Sequence, residues 1–283
     1  MGEKSGQKRK NNHGARQSTD KAKKIRVSNW QALQGRIQEY WKSAASTIHP
    51  GVAGIFATCG RHYEKQCTQE LLDLFNEEAE KQYDFSKEVI EESSDDNEND
   101  DIEASINKEL ESLQKSKARK LFTPVNIDCE CVLFFRTKKP IDPPDFVHKI
   151  CENALRSGTK TTRHTLRLSP VSLTASATEE DLKNLAEKVL APHFHAQNQP
   201  TYKFAIRTTI RNHTTLNRDQ IIQLLASAVG PPHKVDLKDY DRLVHVECFK
   251  NIVGISVVRD FETLKRFNLQ QIFESKANQI ENE

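Results

Sequence analysis

The amino-acid sequence predicts an α+β fold built from two modules. Short runs with the apolar alternation of β-strands are separated by longer runs in which apolar residues recur every three or four positions, as on a helix face. These runs follow one another as strand, helix, strand, helix, and then as helix, strand, helix, strand, strand, which suits two packed layers in each unit. The length of 283 residues leaves room for one or two domains.

In the first module, the helix that follows the first strand places Cys67, Leu71 and Phe75 on one face. The dipeptide Pro143-Pro144 predicts the start of a second helix, because proline is tolerated in the first helical turn. The predicted elements of this module are a strand at 54–58, a helix at 64–81, a strand at 129–136 and a helix at 145–156.

In the second module, Thr178 and Asn217 each precede a helix-like run and are predicted N-caps. Gly230-Pro231-Pro232 ends the second of these helices. The predicted elements are a strand at 165–171 with a basic face, a helix after residue 178, a strand at 202–207, a helix at 218–229 and strands at 243–249 and 252–258.

Two strongly charged segments flank or interrupt the first module. Residues 1–27 hold nine basic and two acidic residues, whereas residues 86–103 hold nine acidic residues and one lysine. Blocks of like charge repel one another and bury little surface, so both segments are predicted to be disordered.

A helix is predicted within residues 28–48 and a polar one over residues 104–120. Ser93 and Ser94 stand before Asp95-Asp96, a pattern typical of acidophilic kinase sites.

The basic clusters Lys8–Lys10 and Lys21–Lys24 are spaced like a bipartite nuclear-import signal. The alternative is a solvated arm that contacts phosphates. We therefore expect a nuclear or nucleolar protein, with the cytoplasm as the alternative. The chain has neither a run of about 18 apolar residues nor an apolar N-terminal signal, so we expect an intracellular protein that does not engage a membrane.

Several classes of chemistry lack their usual motifs. The six cysteines contain no Cys-x-x-Cys pair, and Cys129 and Cys131 lack the further ligands that a zinc site needs. Neither Gly-x-Gly-x-x-Gly nor Gly-x-x-x-x-Gly-Lys occurs, and the ten histidines show no catalytic spacing. We expect no catalytic residue, no metal, no cofactor and no small-molecule substrate.

Positive charge is concentrated between Arg156 and Arg218, where ten basic residues face four acidic ones. Such a concentration is typical of a surface that neutralises RNA phosphates, although each side chain alone also fits an ordinary solvated surface. Few aromatic residues interleave with these bases, so phosphate and shape recognition is expected rather than base stacking. The candidate RNA-binding residues are Arg163, Arg167, Lys203, Arg207, Arg211, Asn212 and Arg218.

The C-terminal half resembles a THUMP domain in a linked series of motifs. The strand Phe204–Arg207 is followed by the basic loop Arg211–His213, a capped helix, the Val235-Asp-Leu237 motif and two final strands. The segments Gly54–Cys59 and Arg163–Val171 narrow the resemblance to the eukaryotic THUMP-domain proteins that assist N4-acetylation of cytidine in tRNA.

The resemblance implies a non-catalytic adaptor. It would present serine and leucine tRNAs to a separate RNA cytidine acetyltransferase, which modifies a cytidine in the D-arm. It also implies a ferredoxin-like module at 51–156, interrupted by the acidic segment, a THUMP module at 157–260 and a helical tail at 261–283. The alternatives are a general RNA-binding factor in RNA processing or ribosome assembly, and a small enzyme with an unrecognised site.

Overall fold

The computed structural model describes residues 48–83 and 121–280, which form two β-sheets and five α-helices. The predicted basic tail, the predicted helices at 28–48 and 104–120, the acidic segment and the candidate phosphorylation sites Ser93 and Ser94 lie outside the described residues. Within the described ranges, none of the helices has the length and apolar character needed to cross a membrane.

The first sheet has four antiparallel strands in the order β2-β3-β1-β4. Two helices, α1 and α2, connect these strands in the chain order βαββαβ, which is also the order of ferredoxin-like units. Assignment of this module to the ferredoxin-like class stays a prediction. Its elements are β1 Gly54–Cys59, α1 Glu64–Gln82, β2 Phe122–Val125, β3 Val132–Thr137, α2 Pro143–Ser157 and β4 Thr165–Val171.

The second sheet has five strands in the order β5-β9-β8-β6-β7. β6 runs parallel to β7 and β8, and the other pairs are antiparallel. Its elements are β5 Leu173–Ser176, α3 Glu179–Phe194, β6 Lys203–Arg211, α4 Arg218–Val229, β7 Lys234–Val235, β8 Arg242–Phe249 and β9 Ile252–Val258. A short 3-10 turn, Lys265–Phe267, then leads into helix α5, Leu269–Ile280. The predicted mixed α/β architecture is confirmed.

Local side-chain contacts explain where the helices begin. The Thr178 side chain accepts a hydrogen bond from the Asp181 N–H at 3.2 Å, and the Asn217 side chain accepts one from the Gln220 N–H at 2.8 Å. The Gln220 side chain in turn accepts a hydrogen bond from the Asn217 N–H, which completes a capping box. Both predicted N-caps are therefore present in the structure.

The predicted strand at 129–136 begins later in the structure, at Val132. Asp128 and Cys131 have positive φ values of 48° and 61°, which are incompatible with an extended strand. The chain therefore turns before it enters β3. The predicted strand at 202–207 is longer in the structure, because β6 pairs with β8 as far as Arg211.

Strand β4 belongs to the first sheet, although the predicted boundary between residues 156 and 157 places it in the second module. It pairs with β1 from Val171 to Thr165, and Leu168 is fully buried in the first core. The C-terminal segment also returns to that core, where Phe267 and Ile272 are fully buried. The first core therefore contains residues that precede the second sheet in the sequence and residues that follow it.

The two sheets meet through an apolar junction. Phe56, Phe134 and Val171 of the first sheet pack with Phe249 and Ile252 of the second. Polar contacts reinforce the junction: the Ser256 hydroxyl donates to the Pro170 carbonyl at 2.7 Å, and the Ser172 N–H donates to the Ile255 carbonyl at 3.0 Å. This junction fixes the side chains of β4 relative to those of β6 and β8.

Candidate nucleic-acid interface

Four arginines converge beside the junction of the two sheets: Arg167, Arg207, Arg211 and Arg266. We call them the arginine cluster. Alternation along β6 places Phe204, Ile206 and Ile210 against the core below α3 and α4, so Arg207 and Arg211 lie on the opposite face. On β4, Leu168 enters the first core, so Arg167 lies on the face that carries Val171 and meets the second sheet.

The fourth member comes from the turn that precedes α5. Arg266 has a φ of 58° and ψ of 36°, a left-handed conformation that costs an L-residue about 1–2 kcal/mol. Burial of Phe267 and a 2.6 Å hydrogen bond from the Arg266 N–H to the Phe261 carbonyl hold this turn in place. The Arg266 side chain pairs with Glu262 at 2.8 Å on the surface.

The environment of Arg167 shows how closely these charges are gathered. Burial lowers the pKa of Arg167, and the positive charges of Arg207, Arg266 and Arg211 lower it further, whereas the negative charge of Glu247 raises it. The Arg167 Nε is buried and has no hydrogen-bond partner within the described part of the chain. An anion placed here would satisfy that donor and relieve the repulsion between the guanidinium groups.

A buried carboxylate lies at the floor of the cluster. Glu247 is 2% exposed; it forms an ion pair with Arg211, and its Oε1 lies 3.6 Å from His245 Nε2. Burial lowers the pKa of His245, so the imidazole is neutral near pH 7 and does not offset the acid. Arg207 lies over the Phe261 ring, with 5.6 Å from its guanidinium carbon to the ring centroid. Glu247 and Phe261 therefore hold two of the arginines in fixed positions.

Replacing Glu247 with glutamine is expected to lower the free energy of unfolding by about 2–3 kcal/mol. The change leaves Arg211 without its buried partner among like charges, and the loss of one member of a buried pair is costly. Urea denaturation measures the effect. Glu262→Gln is the matched control, because its pair with Arg266 is exposed and should contribute less than about 1 kcal/mol. Equal losses in the two variants would contradict the proposed positioning role of Glu247.

The structure brings together three of the seven sequence-predicted RNA-binding residues: Arg167, Arg207 and Arg211. Sequence reasoning missed Arg266, which lies 48 positions beyond the basic stretch that ended at Arg218. The place of Arg266 in the cluster follows from the return of the C-terminal segment to the first core, which no local sequence pattern predicts.

The other predicted residues lie around the cluster or away from it. Arg163 is exposed in the segment before β4, Asn212 is exposed directly after β6, and Arg218 is exposed at the first position of α4. Asn212 has a φ of 51°, which marks the turn at the end of β6. Lys203 lies at the opposite end of β6, where its ammonium pairs with Asp239 at 2.7 Å and Asp236 at 3.5 Å. Its charge is therefore largely matched within the protein.

The buried cysteines are poorly suited to nucleophilic chemistry. Burial raises the pKa of Cys59 and Cys248 to about 12 and that of Cys67 to about 11, and it also raises the pKa of Cys151. A thiol must lose its proton to attack, so these groups are unreactive at neutral pH. Among the residues that the structure describes, no group of three or more histidine, cysteine or acidic side chains is arranged to hold a metal ion.

Comparison with known proteins agrees with this architecture. The THUMP domain model matches residues 176–258, from the end of β5 to the end of β9. The chain is 37% identical over 264 residues to the Saccharomyces cerevisiae protein named tRNA acetyltransferase TAN1, covering 85% of this chain and 91% of that protein. It is 34% identical over 236 residues to human THUMP domain-containing protein 1, covering 81% of this chain and 66% of that protein.

Among solved structures, the solution structure of the THUMP domain of THUMP domain-containing protein 1 shares 36% sequence identity with this chain. It covers 28% of this chain and 83% of that domain, with a TM-score of 0.25. The sequence identity and coverage of the full-length relatives confirm the predicted family. The chain belongs to the family of THUMP domain-containing proteins that includes TAN1 and THUMP domain-containing protein 1.

Proposed function

We propose that this protein binds tRNA and acts as a non-catalytic adaptor in the N4-acetylation of cytidine. The observation that carries the proposal is the arginine cluster, in which four guanidinium groups lie near one buried carboxylate. The buried Nε of one of them, Arg167, has no hydrogen-bond partner among the described residues. The naming of a 37% identical relative as a tRNA acetyltransferase supports the link to tRNA acetylation.

The proposed binding surface extends from the arginine cluster to the exposed residues at its edges. Arginine holds two phosphate oxygens at once, and guanidinium groups from both sheets would grip adjacent phosphates of a folded RNA. Arg163 extends this surface along the segment before β4, and Asn212 and Arg218 extend it beyond β6. Lys203 is left out of the surface because two aspartates already pair with its ammonium.

In the proposed division of labour, a separate RNA cytidine acetyltransferase carries out the chemistry. This protein would present the D-arm of serine and leucine tRNAs to that enzyme. The raised thiol pKa values of its buried cysteines argue against an acyl-cysteine intermediate on these residues. The basic clusters at Lys8–Lys10 and Lys21–Lys24 support action in the nucleus.

Mass analysis of nucleosides from purified serine and leucine tRNAs tests the proposal in cells that lack this protein. We expect N4-acetylcytidine to disappear and to return when the wild-type chain is expressed. A variant carrying Arg167→Ala, Arg207→Ala and Arg211→Ala should fail to restore it, because tRNA capture depends on the arginine cluster. Unchanged N4-acetylcytidine in cells without the protein would refute the role in acetylation.

The name of TAN1 favours a second candidate, in which the chain itself transfers the acetyl group. Reconstitution separates the two functions. The adaptor requires the separate acetyltransferase, acetyl-CoA and ATP before any N4-acetylcytidine forms. Turnover by this protein with tRNA and acetyl-CoA alone would establish the catalytic function and reject the adaptor.

A further inference from the structure

A stacked aromatic pair lies at the edge of the first sheet, apart from the arginine cluster. The rings of Tyr63 and His164 are 4.4 Å apart between centroids and 17° from parallel. Tyr63 follows the end of β1, and His164 directly precedes β4. The two residues are 101 positions apart in the chain, so no local sequence pattern indicates that their rings stack. We call this pair the aromatic platform.

Tyr63 is unusual in its exposure. Among the residues described, it is one of three large hydrophobic side chains classed as exposed, at 47%, with Val235 and Leu237. It is the one of the three whose ring stacks on a second ring. An exposed stacked ring leaves aromatic surface available to a further planar group.

The backbone around the platform is held firmly before any ligand binds. The Gly60 N–H donates to the His164 carbonyl at 3.4 Å, and the Tyr63 N–H donates to the Gly60 carbonyl at 3.2 Å. Gly60 also packs closely against the Tyr63 ring, since a Cβ there would lie 3.3 Å from the ring. These contacts fix the two loops that carry the rings.

A carboxylate from α1 anchors the second loop. Glu70 accepts hydrogen bonds from the N–H groups of Arg163, His164 and Thr165, and from the Thr165 hydroxyl at 3.0 Å. One side chain therefore fixes three successive residues at the start of β4. The platform is preorganised, so little conformational entropy is lost when a ligand stacks on it.

The charge around the platform matches a nucleotide. Arg61 and Arg163 are exposed on the segments that carry the two rings. Arg61 makes a surface ion pair with Glu130 at 3.4 Å, a type of contact that contributes little and exchanges readily. Planar rings with nearby arginines provide stacking for a base and counter-charge for its phosphates.

The platform lies within reach of an RNA strand held at the arginine cluster. Arg167 is the third residue of β4, so its Cα lies at most about 10 Å along the chain from that of His164. Stacked nucleotides in one strand rise by about 3.4 Å each, so about three nucleotides span this distance. A phosphate bound at Arg167 therefore leaves a nearby nucleotide free to reach Tyr63.

We propose that Tyr63, stacked on His164, receives an unpaired base of the tRNA whose phosphates occupy the arginine cluster. This inference rests on the proposed tRNA-binding function and adds a requirement for a base that is free to leave its helix. An RNA duplex without unpaired bases would use the arginine cluster but not the platform.

The test compares Tyr63→Ala, Tyr63→Phe and Leu237→Ala by fluorescence anisotropy at one salt concentration. The probes are a leucine tRNA and a blunt RNA duplex of similar length. Tyr63→Ala should weaken tRNA binding about tenfold, because stacking of one base contributes on that order, and should leave duplex binding unchanged. Tyr63→Phe should retain tRNA binding because the ring remains. Leu237→Ala, which truncates an exposed side chain 75% open to solvent, should bind both probes normally.

Urea denaturation first shows which variants are folded, and the tRNA affinities of the folded variants then decide between the outcomes below. Unchanged tRNA affinity in Tyr63→Ala, with a large loss in the arginine variant described above, would overturn the platform and leave the proposed function intact. Equal losses for tRNA and duplex would also overturn it, because stacking on an unpaired base would not cause them. Unchanged tRNA affinity in the arginine variant would instead reject the binding surface of the proposed function.

Discussion

Simultaneous replacement of Arg167, Arg207 and Arg211 with alanine should weaken tRNA binding by about a hundredfold or more. Each hydrogen-bonded contact between a charged group and its partner contributes on the order of 1.5–3 kcal/mol, and partial solvent screening reduces the combined loss of three contacts. The slope of log affinity against log salt should also fall by about three, because about one released counterion is lost with each cation. Anisotropy titrations at several salt concentrations measure both quantities.

The matched control removes three positive charges elsewhere. Lys138, Lys139 and Lys149 are exposed on the first module. Their replacement with alanine changes the net charge by the same amount, so it reproduces any effect of overall charge. We expect a loss of less than about threefold from this control, since exposed charges that lie more than a Debye length from the bound phosphates are largely screened. Similar losses in the two variants would show that the position of the arginine cluster does not matter.

Replacement of the three arginines has two opposing effects on stability, so urea denaturation must show that the variant is folded before its binding result is interpreted. The pKa of Arg167 is lowered by burial and by three neighbouring guanidinium groups, so its charged form is disfavoured in the folded protein. Loss of that charge removes repulsion along with side-chain contacts. Against this, Glu247 loses its Arg211 partner and stays buried, which costs about 3–5 kcal/mol and is read from the urea midpoint.

Three of the four members of the arginine cluster followed from charge counting and strand alternation. The concentration of bases between Arg156 and Arg218 indicated Arg207 and Arg211, and the basic face of the predicted strand at 165–171 indicated Arg167. Neither pattern could reveal Glu247 at the floor of the cluster or Arg266 at its edge. Both positions depend on contacts between distant segments, which a periodic pattern in one segment does not encode.

Strands β2 and β5 were absent from the sequence prediction for a common physical reason. Each has four residues and lies at the edge of its sheet, so it pairs with one neighbour only. β2 also contains Pro124. Proline has no backbone N–H to donate, and an edge strand tolerates this because it has a neighbouring strand on one side only. Short edge strands carry too few buried positions to show a clear alternation. Helices α3 and α4 were predicted because their sequences combine apolar periodicity with an N-cap residue.

Gly254→Ala should be among the most destabilising single substitutions in the second sheet. Gly254 lies in β9 at the junction of the sheets, and a Cβ there would approach Val171 Cγ1 to 2.5 Å and Cγ2 to 3.0 Å. The neighbouring backbone is tied to both β5 and β8, so it has little freedom to move away. We expect the free energy of unfolding to fall by about 3 kcal/mol, which is typical of overpacking in a rigid core.

A second substitution distinguishes a steric clash from a loss of glycine's backbone freedom. Val171→Ala removes the two methyl groups that the new Cβ would strike, while its own Cβ would lie 3.4 Å away, near ordinary contact distance. Alone it should cost about 1–2 kcal/mol through the cavity that it leaves. In the double variant the alanine methyl at position 254 occupies part of that space, so the combined loss should be smaller than the sum of the single losses by at least about 1 kcal/mol. Strictly additive losses in urea denaturation would mean that the two residues do not contact one another, and the packing proposed for the junction between the sheets would have to be abandoned.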